Sequence, residues 1–292
     1  MENKIIPFFG STLILFLLFH TFSSFSQSSG DTDTDFIFYL VNKGDFKEAL
    51  YLLDRDNNDF ILSSDTANYL RGWSLYSLKH LLPSAESLKK VKPESEFYPK
   101  SHFFAAYNYA HLGYYDDAVS TLEGLQLFTE KQNAIRNLQL SGIYLLQNDS
   151  SLFKEYYSKT NGNFFELANS YKNIGQLSND YFRHKAKSPV IAGLVSGIIP
   201  GSGKFYSGKK GEAISSFIAT CGLGLVTFEN YKRSGLKNYK TILFGTAFAF
   251  SYAANIYGAV LSVNIAESEY NENIKNTILF NLHIPLRNSF DK

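Results

Sequence analysis

The sequence predicts an all-α chain: an array of helical hairpins in the first half, followed by a small module of apolar helices suited to a membrane. Three observations carry this reading. Alanines recur at one place in successive helix-forming segments, Ala49, Ala85 and Ala118, spaced 36 and 33 residues apart. Residues 213–228 and 241–266 contain no Asp, Glu, Lys or Arg, which a solvent-facing helix would carry. Aromatics reach 16% while charged residues are 19%, below the ~25% of ordinary soluble domains.

The 292 residues correspond to one large or two modest domains. A formal charge of +1 gives no nucleic-acid footprint. The single cysteine, Cys221, excludes a disulfide framework and any cysteine cage for zinc or iron–sulfur.

Residues 1–26 read as a secretory signal: Lys4 in the n-region, an apolar run from Thr12 to Phe19, and Ser24 and Ser26 at the −3 and −1 positions of a small-x-small cleavage site. An uncleaved anchor over 5–25 is the alternative, and in both cases the chain beyond it is exported. Residues 27–34 are polar and predict a flexible leader, with Asp35 as the N-cap of the first helix.

From 35 to 187 the alanines set the register. Gly44 and Gly113 stand five residues before Ala49 and Ala118, where a helix ends in a left-handed turn. Phe46 and Tyr115 come two residues after each glycine. In the copy around Ala118, Tyr109, Gly113, Tyr115, Ala118 and Leu122 fall at the Tyr, Gly, Tyr, Ala and aromatic-or-leucine positions of the tetratricopeptide repeat, whose period is 34 residues. The segment resembles that family. A further copy offers Leu140, Ser141 and Tyr144, with Asn148 in the glycine place and Phe153 in the small-residue place; another first helix carries Phe164, Leu167, Ala168, Tyr171 and Gly175. The copy with Tyr69, Trp73 and Tyr76 is irregular, its Gly72 and Trp73 displaced from the family's leucine–glycine pair. The resemblance covers about residues 35–182 and implies a solenoid whose first helices line a groove. Carried over, it puts Ser74, Ser77, Lys100, Phe103, Tyr107 and His111 in that groove, a mixture suited to an extended peptide or partner helix. Phe103 and Tyr107 serve equally well as packing between repeats.

A membrane module is expected over 188–266. Ser188 and Pro189 start a helix, and the apolar run to Ile199, about 18 Å long, is short of the ~30 Å hydrocarbon core. The runs 213–228 and 241–265 can cross. Pro200, Gly201, Gly203, Tyr206 and Gly208 match the P-G-x-G-x-x-Y-x-G pattern, similar to the small bacterial membrane domains of the TM2-domain group. That likeness implies a topology rather than a chemistry and places the chain in a bacterial inner membrane. A re-entrant first segment, with the basic loop 229–240 in the cytoplasm, satisfies the positive-inside tendency better than three crossings. Residues 267–292 read as a polar C-terminal tail.

Catalytic patterns are missing. Gly201-Ser-Gly-Lys204 departs from a phosphate loop at Ile198 and Phe205. No histidine pair has metalloprotease spacing, and Asp54, Asp56 and Asp59 read as solvated loop charges. The expectation is a non-enzymatic adaptor without cofactor, its repeat region facing the periplasm and binding a protein or peptide, its anchor meeting membrane lipid. The alternative gives the membrane module its own role in lipid handling, transport or membrane-protein insertion, with Ser251, Tyr252 and Asn255 lining the site; the same three residues read more simply as hydrogen-bonding links between helices.

Overall fold

A computed structural model describes residues 29–55, 63–127, 129–160 and 162–290, with the side chains of 29–33 left aside. The signal segment over 1–26 and the charges Asp56 and Asp59 lie outside the described residues. The described chain is all-α, without a strand. It divides into two compact units, residues 1–136 and 137–292.

In the first unit, short helices succeed one another: α1 (Ser29–Lys43), α2 (Phe46–Asp54), α3 (Ser64–Ser77), α4 (Leu81–Leu88), α5 (Tyr98–Leu112) and α6 (Tyr115–Glu123). Each packs on the next, and α1 also touches α3 as α3 touches α5. The turns are left-handed at Gly44 (φ 92°), Lys79 (φ 67°) and Gly113 (φ 86°). Lys79 takes a conformation that costs a non-glycine residue energy, which explains why composition gives no hint of that turn. Ala49, Ala85 and Ala118 are fully buried, so the small residue at each second helix is what lets its partner approach. Gly72 serves the same end in the irregular copy: a Cβ there would lie 2.5 Å from Leu88 Cγ.

Two expectations are corrected here. Residues 29–34 are not a flexible leader but the opening turns of α1, because Ile37, Leu40 and Val41 are buried and hold the helix below them. Asp54 is exposed, as expected of a solvated charge, but it ends α2 rather than sitting in a loop, and Arg71 donates to its carboxylate through Nε at 3.1 Å and Nη2 at 2.9 Å.

The second unit holds most of α7 (Glu130–Leu146), then α8 (Ser150–Lys159), α9 (Phe165–Arg183), α10 (Pro189–Ile198), α11 (Ser202–Ser207), α12 (Lys210–Ser234) and α13 (Tyr239–Phe290). Asn148 turns left-handed at φ 60° between α7 and α8. Phe153 occupies the small-residue place without opening the fold, since its buried ring packs against Tyr157 and Phe182.

The polar tail is also corrected. Residues 267–290 continue α13 without a break, and Ile274, Ile278, Leu282 and Leu286 form a buried stripe at four-residue spacing. This stretch packs on α9, where Asn173 donates to Asn281 at 3.0 Å. Leu282 fills the space left by Gly142 of α7. The division between the two units falls within α7.

Helices α12 and α13 are each long and apolar enough to cross a membrane. Only 11% and 22% of their most apolar windows are buried within the fold. Helix α10, at 10 residues, spans about 15 Å.

Candidate functional site

Two regions hold the residues singled out by the sequence. The first is the α3/α5 face of the first unit. Ser63 caps α3 by accepting from Thr66 N at 3.1 Å, which starts a helix whose Tyr69, Trp73 and Tyr76 share one side. Tyr69 stacks on Phe97 at 4.2 Å and 4°. Trp73 and Tyr76 meet the edge of Phe104 from α5 at 5.1 and 5.2 Å. Lys100 Nζ sits 3.9 Å from the centre of the Trp73 ring and 5.6 Å from that of Tyr69, a cation–π arrangement that fixes the ammonium on an aromatic platform.

The expected groove residues separate. Phe103 and Ser74 are fully buried, so neither is available to a partner. Their positions on α3 and α5 turn inward because the neighbouring helices close over them. Ser77 spends its hydroxyl on Trp73 O at 3.0 Å. Lys100 and Tyr107 stay half-buried and His111 is exposed, with the Tyr107 and His111 rings 6.1 Å apart. Burial pushes the Tyr107 hydroxyl up to about 12, so it remains a neutral donor. Trp73 and Tyr76 belong to this face although the repeat pattern does not assign them to the groove; their i, i+3 spacing is the available signal. Beneath it, Asn108 donates to Ser84 at 2.9 Å, and Ser84 donates to Gly72 O at 2.7 Å. This buried chain ties α3, α4 and α5 together.

The second region is the glycine turn. The chain breaks after α10, with Gly201 at φ 84°, and again at Gly208, φ 97°. Asn255 of α13 closes the first break: Gly201 N donates to its Oδ1 at 2.8 Å, and its Nδ2 donates to Ser196 O at 3.2 Å. Gly203 N donates to Ser196 Oγ at 2.9 Å. Tyr252 donates to Gly197 O at 2.5 Å, and Thr220 and Ser251 share a bond of 3.2 Å. All but the Thr220–Ser251 bond, which links two side chains, satisfy backbone groups at the break. Tyr206 accepts from Ser188 N at 3.2 Å and packs against Ala192, Ala259 and Val263. Lys204 donates to Ser216 at 2.8 Å.

Just beyond the apolar part of α13, His184 bonds Glu267 at 2.7 Å and stacks on Tyr270 at 3.8 Å, while Lys187 N donates to Glu267 at 3.0 Å. Those two hydrogen bonds, His184 first, hold the Glu267 carboxyl below the usual carboxylate range. The junction pins the link between α9 and α10 to α13.

An Asn255→Leu substitution removes both partners of the break and leaves Gly201 N–H and Ser196 C=O buried without hydrogen bonds. The expected loss is about 2–4 kcal/mol, read as the drop in thermal midpoint of the detergent-solubilised chain; a midpoint equal to the parent's refutes the role given to Asn255. Among the described residues, no cluster of three or more His, Cys, Asp or Glu side chains is suited to a metal. No family model matches the chain, and no curated protein or solved structure is similar to it at a significant level.

Proposed function

We propose that the chain is a non-enzymatic adaptor, anchored in a bacterial inner membrane and presenting a tetratricopeptide-like array to the periplasm. The carrying observation is the α3/α5 face, where half-exposed Trp73 holds the ammonium of Lys100 and Tyr76 and Tyr107 are half-exposed on the same two helices. Amphipathic rings held rigid by packing offer contact area at low entropic cost, and an ordered cation adds selectivity for an acidic or carbonyl-rich segment.

The solenoid part of this reading is supported by the left-handed turns, the buried alanines and the contacts between alternate helices. Anchoring is supported by α12 and α13, whose apolar sides go largely uncovered, and by the basic outer turns of α12 with Lys210, Lys232 and Arg233. The short α10, the Gly201 break and α11 suit a re-entrant segment shielded by α13, which leaves residues 229–240 as the cytoplasmic loop. A role of its own for the membrane module draws less support. Ser251, Tyr252 and Asn255, the residues such a role would use, are engaged in bonds between helices.

One experiment reads both export and partner binding. His111→Cys is introduced in a Cys221→Ser background, and intact spheroplasts receive a membrane-impermeant thiol-directed cross-linker. The expected result is a covalent adduct with a second protein that disappears when Lys100→Glu is added. A thiol that reacts without yielding an adduct defeats the adaptor reading. A thiol that reacts only after lysis defeats export.

A further inference from the structure

Two shallow furrows run side by side along the first turns of α13. Gly245, Ala249 and Ala253 floor one, of about 530 Å³; Leu243 and Ala247 line the other, of about 640 Å³. Ile242, Thr246 and Phe250 belong to both and form the ridge between them. Both furrows head at residues 236–241, next to Lys232, Arg233, Lys237 and Lys240, all exposed. Glu229 is the single carboxylate between residues 213 and 266, and it pairs with Arg233 at 2.8 Å.

We propose that this face binds one diacyl phospholipid with an anionic headgroup. Its two chains lie in the two furrows astride the ridge, and its phosphate meets the lysines of the 232–240 loop. Each part of the molecule answers a separate feature: two parallel apolar furrows for the chains and one exposed basic head for the anionic group. A parallel second copy is the competing occupant, since small residues at four-residue spacing suit helix pairing in lipid. Charge argues against it, because pairing across this face would bring the two sets of four cations together. The inference rests on the membrane reading proposed for α12 and α13.

The test uses the full chain in phosphatidylcholine vesicles, with spin-labelled phosphatidylglycerol and spin-labelled phosphatidylcholine compared as probes. Phosphatidylglycerol is expected to dominate the motionally restricted population, and its preference to fall about fivefold for each of Lys237→Gln and Lys240→Gln. Ala249→Phe fills a furrow without changing charge and is expected to release restricted phosphatidylglycerol as well. Alkaline extraction of the same vesicles is read separately. If the protein leaves the bilayer, the membrane reading itself falls. If it stays but shows no headgroup preference, or the lysine variants keep the parent's preference, the lipid site is overturned while the membrane reading stands. A cross-linked dimer abolished by Ala249→Phe, with no lipid preference, assigns the furrows to a second copy instead.

Discussion

Gly203→Val is expected to break the second unit's fold around the glycine turn. A Cβ on Gly203 would overlap the Ala192 carbonyl oxygen and lie 2.6 Å from Ser196 Oγ and 2.7 Å from Ala259 Cβ. The closest of these is backbone, which cannot swing aside as a flexible side chain would. Two methyl groups beyond the Cβ then press on the cluster of Ala192, Ala259 and Val263. Overpacking of an adaptable core costs ~1–3 kcal/mol, and here we expect the upper end or beyond. For a unit of this size a loss of ~3 kcal/mol lowers the thermal midpoint by about 6–12 °C. Gly211→Ala is the control: a Cβ there meets nothing within 4 Å, and in the first turn of α12 it is expected to be neutral or slightly stabilising. Circular dichroism melts of the detergent-solubilised full chain read both. Equal midpoints for Gly203→Val and Gly211→Ala would falsify the crowding assigned to this turn.

Acidification from pH 6.5 to 4 is expected to destabilise the first unit through His102. Its ring is buried against Tyr98, with Nε2 3.2 Å from Val91 O and Nδ1 enclosed without a partner. Burial first, and the Lys89 charge second, hold the imidazole down at about 4 against an ordinary 6.5. The folded state thus resists the proton that the unfolded chain accepts. Stability is complete above pH 6.5, declines as pH falls because the unfolded state binds more protons, and levels off below about 4. The total amounts to about 3 kcal/mol. Trp73, the one tryptophan of the sequence, stands in the same unit, so its fluorescence tracks urea unfolding there. His102→Phe keeps the aromatic contact, forgoes the bond to Val91 and is expected to flatten the profile between pH 4 and 6.5. A variant that retains the parent's slope places the acid sensitivity elsewhere.

Much of the architecture is legible in the sequence because it is written in local chemistry. Glycine at 44 and 113 ends a helix whatever surrounds it, since the left-handed turn is nearly free only there. Alanine at 49, 85 and 118 marks a close approach by its size alone. Serine and proline at 188 and 189 start α10, with Ser188 Oγ accepting from Ile191 N at 3.4 Å. Uninterrupted apolar composition singles out α12 and α13. The candidate face is half legible. Lys100, Tyr107 and His111 can be carried from the repeat pattern, but whether α5 turns Phe103 outward or inward depends on which helices flank it.

What the tertiary structure alone decides concerns partners distant along the chain. Asn255 reads as a polar residue in an apolar helix, open to a site or to helix pairing, until its amide is found against Gly201 and Ser196, more than 50 residues upstream. The stripe Ile274, Ile278, Leu282 and Leu286 passes for a polar tail because asparagines and charges surround it, yet it packs on α9 and fills the space beside Gly142. The physical reason is the same in both cases. Helix starts, stops and faces arise from interactions within about one turn, which sequence spacing encodes directly. Four-residue spacing can mark 274–286 as an apolar face, but which surface covers that face, and which backbone groups Asn255 meets, is settled by elements arriving from elsewhere in the chain.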